Sequence, residues 1–560
     1  MKKSIFCRFS MLASLLLPSI AWAQIPSVVS TQPAANAANA PRISPITVTF
    51  SQEISAEAAA QVSIFGGGLR LVDTNVQSVG STAVRFQPAR SFVPGENVSV
   101  TIPATIANPA KVYSFTAAAG TGTGSFGFPT TVRPANRPGI LAIGDVDNDG
   151  DADVVSVERS LEGTFAQVLL NNGQGQFTAQ ATSVAVVDYP LALYLVDLTG
   201  DGKLDLMTVG GYQDDITLST GTGIGDFIGR QVLASDKFPI TAIADFNADG
   251  LLDVVIFTSI SNMPPYTLRV LLGTQAGGLG PAINYTIDQP AHGVAIADVD
   301  EDGAIDLLVL TDDSLSLYRN NGRAQFSLDN VLQVNRSSGS LVTGDFNNDG
   351  HIDVVCSGFN ANTSLIVGNG TSHMQLAQNI ETVTNTITHV ATGDLDGDGD
   401  LDLLATGGRG ITQLFINDKG RFLPTTNFLV GAENYQRAYA VDFNGDKALD
   451  IVTGNSGFDG IDFFFNKVAV LPVRTGIATL PVSLYPNPAH DHLILQMPST
   501  ANKVGVEILN SLGQRVALLP ASYPSASGNL VVPLSTLAAG MYMIRVITGN
   551  AITTQRVVVE

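Results

Sequence analysis

A nine-residue acidic pattern, D-x-[D/N/T]-x-D-x-x-x-D, recurs seven times in this chain, with copies starting at Asp145, Asp197, Asp245, Asp298, Asp345, Asp394 and Asp442. The steps between starts are 52, 48, 53, 47, 49 and 48 residues. A period near 50 is too long for most solenoids and suits one four-stranded propeller blade. The flanks agree. A short apolar stretch precedes each motif, as at Leu191–Val196, and another follows, as at Asp306–Leu310. A third often ends in Asn-Gly, as at Gln167–Gly173, and a fourth begins at Phe, as at Phe177, Phe326 and Phe422. Apolar and β-branched runs between Gly, Asn and Asp turns read as strands. Four strands in each of seven repeats predict a seven-bladed β-propeller over residues 125–470. After the seventh motif only two strands remain before the composition changes. The strand-like run Ser125–Val132 is expected to complete the seventh blade and latch the ring, which removes the exposed edges of an open array.

The spacing is that of a calcium loop. Calcium takes six to eight oxygens from carboxylates, amides and main-chain carbonyls. Positions 1, 3, 5 and 9 would give side-chain oxygens and position 7 its carbonyl. The candidate ligands of the first copy are Asp145, Asp147, Asp149, Asp151 and Asp153; of the second, Asp197, Thr199, Asp201, Lys203 and Asp205. The third has Asp245, Asn247, Asp249, Leu251 and Asp253, and the fourth Asp298, Asp300, Asp302, Ala304 and Asp306. The fifth has Asp345, Asn347, Asp349, His351 and Asp353, and the sixth Asp394, Asp396, Asp398, Asp400 and Asp402. The seventh has Asp442, Asn444, Asp446, Ala448 and Asp450. Positions 1, 5 and 9 are Asp in every copy. Position 7 varies freely, as a backbone ligand allows. Positions 2 and 8 are apolar throughout and suit anchoring in the blade. Position 6 is Gly in six copies and Lys447 in the seventh, which adds a cation and strain, so that loop should bind most weakly. The copies at Asp145, Asp298 and Asp394, with four Asp at positions 1, 3, 5 and 9, should bind most tightly.

The windows hold 27 of the 50 acidic residues in 63 of 560 positions. Carboxylates packed so closely repel unless a cation sits among them. Up to seven structural Ca²⁺ ions are therefore expected. The formal net charge of −21 argues against a nucleic-acid partner, whose binders carry basic patches.

These repeats resemble FG-GAP/VCBS repeats, the blades of the integrin α-subunit propeller and of many bacterial surface proteins. The resemblance implies calcium held for rigidity rather than chemistry, with ligands bound on a propeller face.

The flanks add two further domains. Residues 25–118 alternate as short strands, among them Ile46–Phe50, Ala83–Phe86 and Val98–Ile102, and predict a small β-sandwich. The segments Phe86-Gln87-Pro88 and Phe92-Val93-Pro94-Gly95 resemble bacterial Ig-like domains, which implies a spacer. Residues 119–124, Ala-Gly-Thr-Gly-Thr-Gly, are expected to be a flexible linker. Residues 480–560 contain Tyr485-Pro486-Asn487-Pro488, then Leu512-Gly513-Gln514-Arg515, then Ala539-Gly540-Met541-Tyr542. This ordered set resembles the type A sorting domain of the type IX secretion system, and implies export by that machinery to the outer surface or beyond.

The first 23 residues read as a signal peptide. Lys2, Lys3 and Arg8 form the positive region, Met11–Ile20 the apolar one, and Ala21-Trp22-Ala23 the cleavage site. Its removal would leave 537 residues with a net charge of −24, no Trp, and Cys356 as the one cysteine. No later segment reaches the ~18 apolar residues of a membrane-spanning helix.

The expected fold class is thus all-β: Ig-like sandwich, seven-bladed propeller and C-terminal β-sandwich. No H-E-x-x-H, G-x-S-x-G or Walker loop is present, and the six His are dispersed. The expected function is a non-catalytic, calcium-binding surface or secreted protein for adhesion or for binding an extracellular protein or glycan. Two readings stay open beside it: a carbohydrate-binding, lectin-like propeller, and a polysaccharide lyase or hydrolase.

Overall fold

In a computed structural model of the chain, the end of one strand and the start of the next fall on the two ends of every acidic motif. The first strand of each blade stops one residue before the first aspartate, and the second begins at the ninth. The structure describes residues 25–560 apart from 80–81, 135–137, 161–162, 211–214, 236–239, 259–265, 335–336, 359–361, 384–386, 408–410, 430–436, 456–459, 469–481, 498–502, 511–514, 536 and 549–550. The expected signal peptide lies outside the described residues, as does most of Leu512-Gly513-Gln514-Arg515.

Among the described residues, seven four-stranded antiparallel sheets carry the repeats. Blades 1 to 6 each use four consecutive strands in sequence order. Blade 1, for example, runs Pro138–Gly144, Asp153–Ser160, Gly163–Asn171 and Phe177–Ala185. Blade 7 uses Ala438–Val441, Asp450–Asn455 and Gly460–Phe464, and its fourth strand is Thr130–Val132, paired with residues 461–463. The latch is thus shorter than the expected Ser125–Val132. Gly122–Phe126 pairs separately with Asn466–Val468. The ring is a propeller closed on itself, because each pair of neighbouring blades shares an apolar core, including one between blades 7 and 1 built from Leu141, Val154, Leu169, Phe443, Val452 and Ile461.

Two repeated devices set the spacing between blades. The Phe that opens the fourth strand packs on the position-2 Phe of the preceding blade. The ring centroids lie 5.7 Å apart for Phe177–Phe443, 5.5 Å for Phe246–Phe326 and 5.7 Å for Phe346–Phe422, all edge-on, as aromatic quadrupoles prefer. The Asn at the end of the third strand ties its blade to the one before. Asn320 Nδ2 donates to the Phe246 carbonyl at 2.7 Å and to that of Ile305 at 3.0 Å. Asn417 repeats this with Phe346 and Leu401, and Asn466 with Leu395 and Leu449. Blades 2, 3 and 5 place Gly221, Gly273 and Gly368 there instead. A Cβ would stand 2.0–2.6 Å from the carbonyl oxygen of Leu204, Leu252 or Ile352, so the blade closes up without a side chain.

The N-terminal sandwich has one sheet of Val28–Gln32, Ile46–Phe50, Ala83–Pro88 and Thr74–Val79, and another of Arg70–Leu71, Ser63–Gly66, Asn97–Ile102 and Lys111–Thr116. Phe50, Phe86, Tyr113 and Phe115 fill the space between them. This domain and the ring form one compact unit. The sequence reading of a spacer is corrected here, because the sandwich sits on the loop face of the ring and touches all seven acidic loops. Residues 119–124 are corrected likewise. Gly120 N donates to the Lys447 carbonyl at 2.6 Å and Gly124 N to that of Leu395 at 3.0 Å, which seats this segment on loops 6 and 7.

The second compact unit, residues 470–560, packs a three-stranded sheet (Ser483–Tyr485, His492–Gln496, Asn529–Pro533) on a four-stranded one (Val504–Leu509, Arg515–Ser522, Gly540–Thr548, Ala551–Val559). Leu493, Leu495, Val506, Ile544 and Val557 form its core. Asn487 of the Tyr-Pro-Asn-Pro run clasps the last strand, accepting from Val558 N at 2.9 Å and donating to the Arg556 carbonyl at 3.1 Å.

Candidate metal centres

Each loop winds tightly because two of its residues take positive φ. These are position 4 (Asn148, Gly200, Ala248, Glu301, Asn348, Gly397, Gly445) and position 6 (Gly150, Gly202, Gly250, Gly303, Gly350, Gly399, Lys447). Lys447 holds φ 76°, a left-handed conformation that costs a side-chain-bearing residue ~1–2 kcal/mol. The apolar residues at positions 2 and 8 are buried in all seven loops. They anchor both ends, so the loop backbone is set by the blade.

The aspartates divide into two roles. The ninth is fully buried, with both oxygens engaged by main-chain N–H groups. Asp153 Oδ2 accepts from Val146 N at 2.9 Å and Oδ1 from Asn171 N at 2.8 Å. The other six repeat this, for example Asp402 with Leu395 N and Asn417 N, both at 2.8 Å. The ninth carboxylate is therefore first a staple between loop and third strand, and a ligand only through its remaining lone pairs. Except in the first loop, where Asp145 instead takes Arg70 and Arg90, the first aspartate accepts from the far side of its own loop, as Asp245 does from Asp249 N at 3.1 Å and Gly250 N at 2.7 Å. The third and fifth residues make Asx turns along the loop, as in Asp396 with Asp398 N at 3.3 Å and Asp398 with Asp400 N at 2.9 Å.

Three clusters bring carboxylates within reach of a single ion: Asp145, Asp147 and Asp153; Asp298, Asp300 and Asp302; and Asp394, Asp396 and Asp402. They lie in the three loops with four Asp at positions 1, 3, 5 and 9. Two of their oxygens, Asp145 Oδ1 and Asp298 Oδ1, are buried without any hydrogen-bond partner, and so is Thr199 Oγ1 in the second loop. A buried, unmatched oxygen among carboxylates is what a cation would satisfy, and an all-oxygen donor set is the set calcium takes. The residues present fit that ion. Of the seven position-5 aspartates, Asp302 joins such a cluster and the other six do not among the described residues, and the four remaining loops stand where the sequence puts them without forming one.

Burial sets the electrostatics. It pushes the ninth carboxyls up, to about 7 at Asp153 and Asp450, about 6 at Asp205 and Asp353, and about 8 at Asp253, Asp306 and Asp402. The same cause raises Asp298 to about 7 and Asp245 and Asp394 to about 6. Without a cation, the loops store unfavourable charge.

The sandwich supplies cations and main-chain groups to these loops. Arg70 Nη1 lies 2.9 Å from Asp145 Oδ2 and 2.7 Å from Asn148 Oδ1, and Arg90 Nη1 lies 3.0 Å from the same Asp145 oxygen. Thr101 lies against Asp245, and Lys111 faces Asp298. Val112 N donates to the Gly303 carbonyl at 2.7 Å, and Asn36 Nδ2 to that of Gly350 at 3.2 Å. Gly399 packs against Asn39 and Gly95 against Leu449. Position 7, chosen for its backbone alone, also reaches its neighbour: His351 pairs with Glu301 of the preceding loop, and Asp400 with Asn348. Sequence reading missed these contacts, since nothing in the repeat marks which N-terminal residues meet it.

Comparison with known proteins adds three family matches. A model of FG-GAP-like repeats matches six overlapping windows from 145–208 to 394–453. A bacterial Ig-like domain matches residues 23–130, and a secretion system C-terminal sorting domain matches residues 483–560. No curated protein matches the chain. Among solved structures, two crystal structures of BBS1N in complex with ARL6DN are similar. The one soaked with mercury shares 13% identity and a TM-score of 0.44, over 61% of this chain and 97% of that one. The one soaked with lead shares 13% identity and a TM-score of 0.43, over 64% and 99%.

Proposed function

Because the chain belongs to the FG-GAP-like repeat family, we propose that it acts outside the cell as a calcium-stabilised, non-catalytic binding or adhesion protein. Its C-terminal domain is the kind that the type IX secretion system handles, which directs it to the cell surface or the medium. The N-terminal run with Lys2, Lys3, Arg8 and Ala21-Trp22-Ala23 would carry it first across the inner membrane.

The observation that carries the calcium reading is the pair of orphaned oxygens, Asp145 Oδ1 and Asp298 Oδ1, inside carboxylate clusters. Asp145, Asp147 and Asp153, with their counterparts in the other loops, would hold the ion. When bound, it supplies positive charge that neutralises buried carboxylates and stiffens the loops. The docked sandwich covers that face, so an extracellular ligand is left the opposite face and the rim.

Thermal unfolding of residues 24–560 in millimolar calcium and then in EGTA tests this. One site filled to ten times its Kd adds ~1.4 kcal/mol, and several add up. A rise of several degrees given by calcium and not by magnesium is expected. Equal midpoints in calcium and EGTA would sink the reading.

A further inference from the structure

We propose that the axial channel of the ring, at the level of Arg437, His389, Tyr439 and Tyr194, is a binding site for a small carboxylate-bearing ligand anchored by the Arg437 guanidinium. The inference deepens the binding role proposed above and rests on it only in taking the ring as a ligand platform.

The repeat itself isolates these four residues. Counting back from the first loop aspartate, His389 and Arg437 stand five residues before it, and Tyr194 and Tyr439 stand three before it. Two such positions share one side of a strand. The other blades carry Ala, Val, Ile, Gly or Ser at both rungs. Blades 2, 6 and 7 thus project large polar groups from a scaffold that otherwise holds small or aliphatic ones.

The geometry brings them together. Arg437 reaches from blade 7 to the Leu191 carbonyl of blade 2 at 3.2 Å and hydrogen-bonds Tyr439. Tyr439 donates its hydroxyl hydrogen to the Leu141 carbonyl of blade 1 at 3.0 Å, and its ring lies 5.7 Å from that of His389. Tyr194 faces Arg437 and accepts from the Thr241 hydroxyl at 3.0 Å. Arg437, His389 and Tyr439 are each half-buried.

Two features point to an anion. Arg437 has only neutral partners among the described residues, in a chain with 50 acidic side chains. A guanidinium offers five N–H donors in a fork that matches a carboxylate, and desolvating it without a counter-charge is costly. Secondly, His389 Nδ1 is buried without a hydrogen-bond partner. Burial and the neighbouring guanidinium push that imidazole down to about 3, so it is neutral and adds no competing charge. Tyr194 also lines an adjoining cavity of about 540 Å³, with Ile143, Ile243, Ile296 and Val441 on its apolar wall and Arg70, Glu96, Asp145 and Asp245 on its loop side. That is room for a small organic molecule. The Gly67–Arg70 and Val93–Glu96 loops of the sandwich line its other end.

The test is isothermal titration of residues 24–560, in calcium, with sodium acetate, sodium D-glucuronate, inorganic phosphate and, as the neutral control, D-glucose. Saturable binding of a carboxylate, none of glucose, and at least tenfold weakening in Arg437→Met are expected. Tenfold is ~1.4 kcal/mol. No carboxylate binding, phosphate binding alone, or undiminished binding by Arg437→Met would overturn the proposal. Should Arg437→Met not fold, crystals of the unaltered chain soaked in bromide give a second reading. An anomalous peak beside Arg437 is expected, and its absence there overturns the site. The calcium-dependent melting shift is recorded on the same samples, so a lost carboxylate site with that shift retained condemns this inference alone.

Discussion

The side-chain amide of Asn171, at the end of the third strand of blade 1, donates to the main-chain carbonyl of Phe443 in the loop of blade 7 at 2.9 Å. It also donates to the Ala152 carbonyl of its own blade at 3.2 Å. One buried amide thus joins residues 272 apart in sequence and closes the ring beside the Thr130–Val132 latch. Replacing Asn171 with Ala removes both bonds and takes this donor from the Ala152 carbonyl, while the Phe443 carbonyl keeps Gly175 N at 2.8 Å, at a cost of ~1–3 kcal/mol. A lower urea midpoint for the Asn171→Ala chain is expected. An unchanged midpoint would show that the latch strand alone closes the ring.

Calcium dependence should be graded among the loops. Asp298→Asn removes a clustered ligand that has an orphaned oxygen, and should reduce the calcium-induced rise in melting temperature more than Asp442→Asn. Equal effects from the two variants would contradict the assignment of sites.

Lys447 is the one position-6 residue with a side chain, and its φ of 76° is left-handed. Lys447→Gly should stabilise the chain by ~1 kcal/mol and tighten calcium binding in loop 7, since it removes strain and a cation together. The bond from Gly120 N to the residue-447 carbonyl survives the change. Calorimetry with and without calcium reads both effects, and a destabilised variant would refute the strain argument.

Without calcium, stability should fall as pH rises. The ninth carboxyls are raised to about 6–8 in the folded chain, against ~3.9 when unfolded. The folded state then binds more protons than the unfolded one between these values. Its advantage is complete below the unfolded value and disappears as pH passes through the folded ones. Melting temperature in EGTA should therefore drop from pH 5 to pH 8.5, and calcium should flatten the slope. A rise over that range in EGTA would be contrary to the buried-carboxylate account.

Arg70 is half-buried and pairs with Asp145 at the sandwich–ring contact. Arg70→Met should weaken that contact by ~1.5–3 kcal/mol, the scale of a hydrogen bond to a charged group. Faster hydrogen exchange over residues 63–71, with the blades unaffected, is the expected signature. Unaltered exchange there would mean that the main-chain contacts alone dock the sandwich.

The sequence alone determined whatever repeats. Seven in-register aspartate patterns, with apolar positions 2 and 8 and turn residues between, specify a strand–loop–strand unit locally. Seven such units bury their faces only against one another. The missing fourth strand after Phe465 signalled a latch from upstream, and the Tyr-Pro-Asn-Pro run marked the sorting domain. Only the tertiary structure decided what is not periodic. The ninth aspartate became a staple because the third strand returns its N–H groups to that point. Arg70 and Arg90 meet Asp145, and the expected spacer becomes a cap, because the sandwich docks through surface residues with no pattern of their own. Arg437, His389, Tyr439 and Tyr194 converge because a closed ring turns equivalent rungs of distant blades toward one axis. No linear spacing encodes that convergence, since it arises from closure and not from any blade by itself.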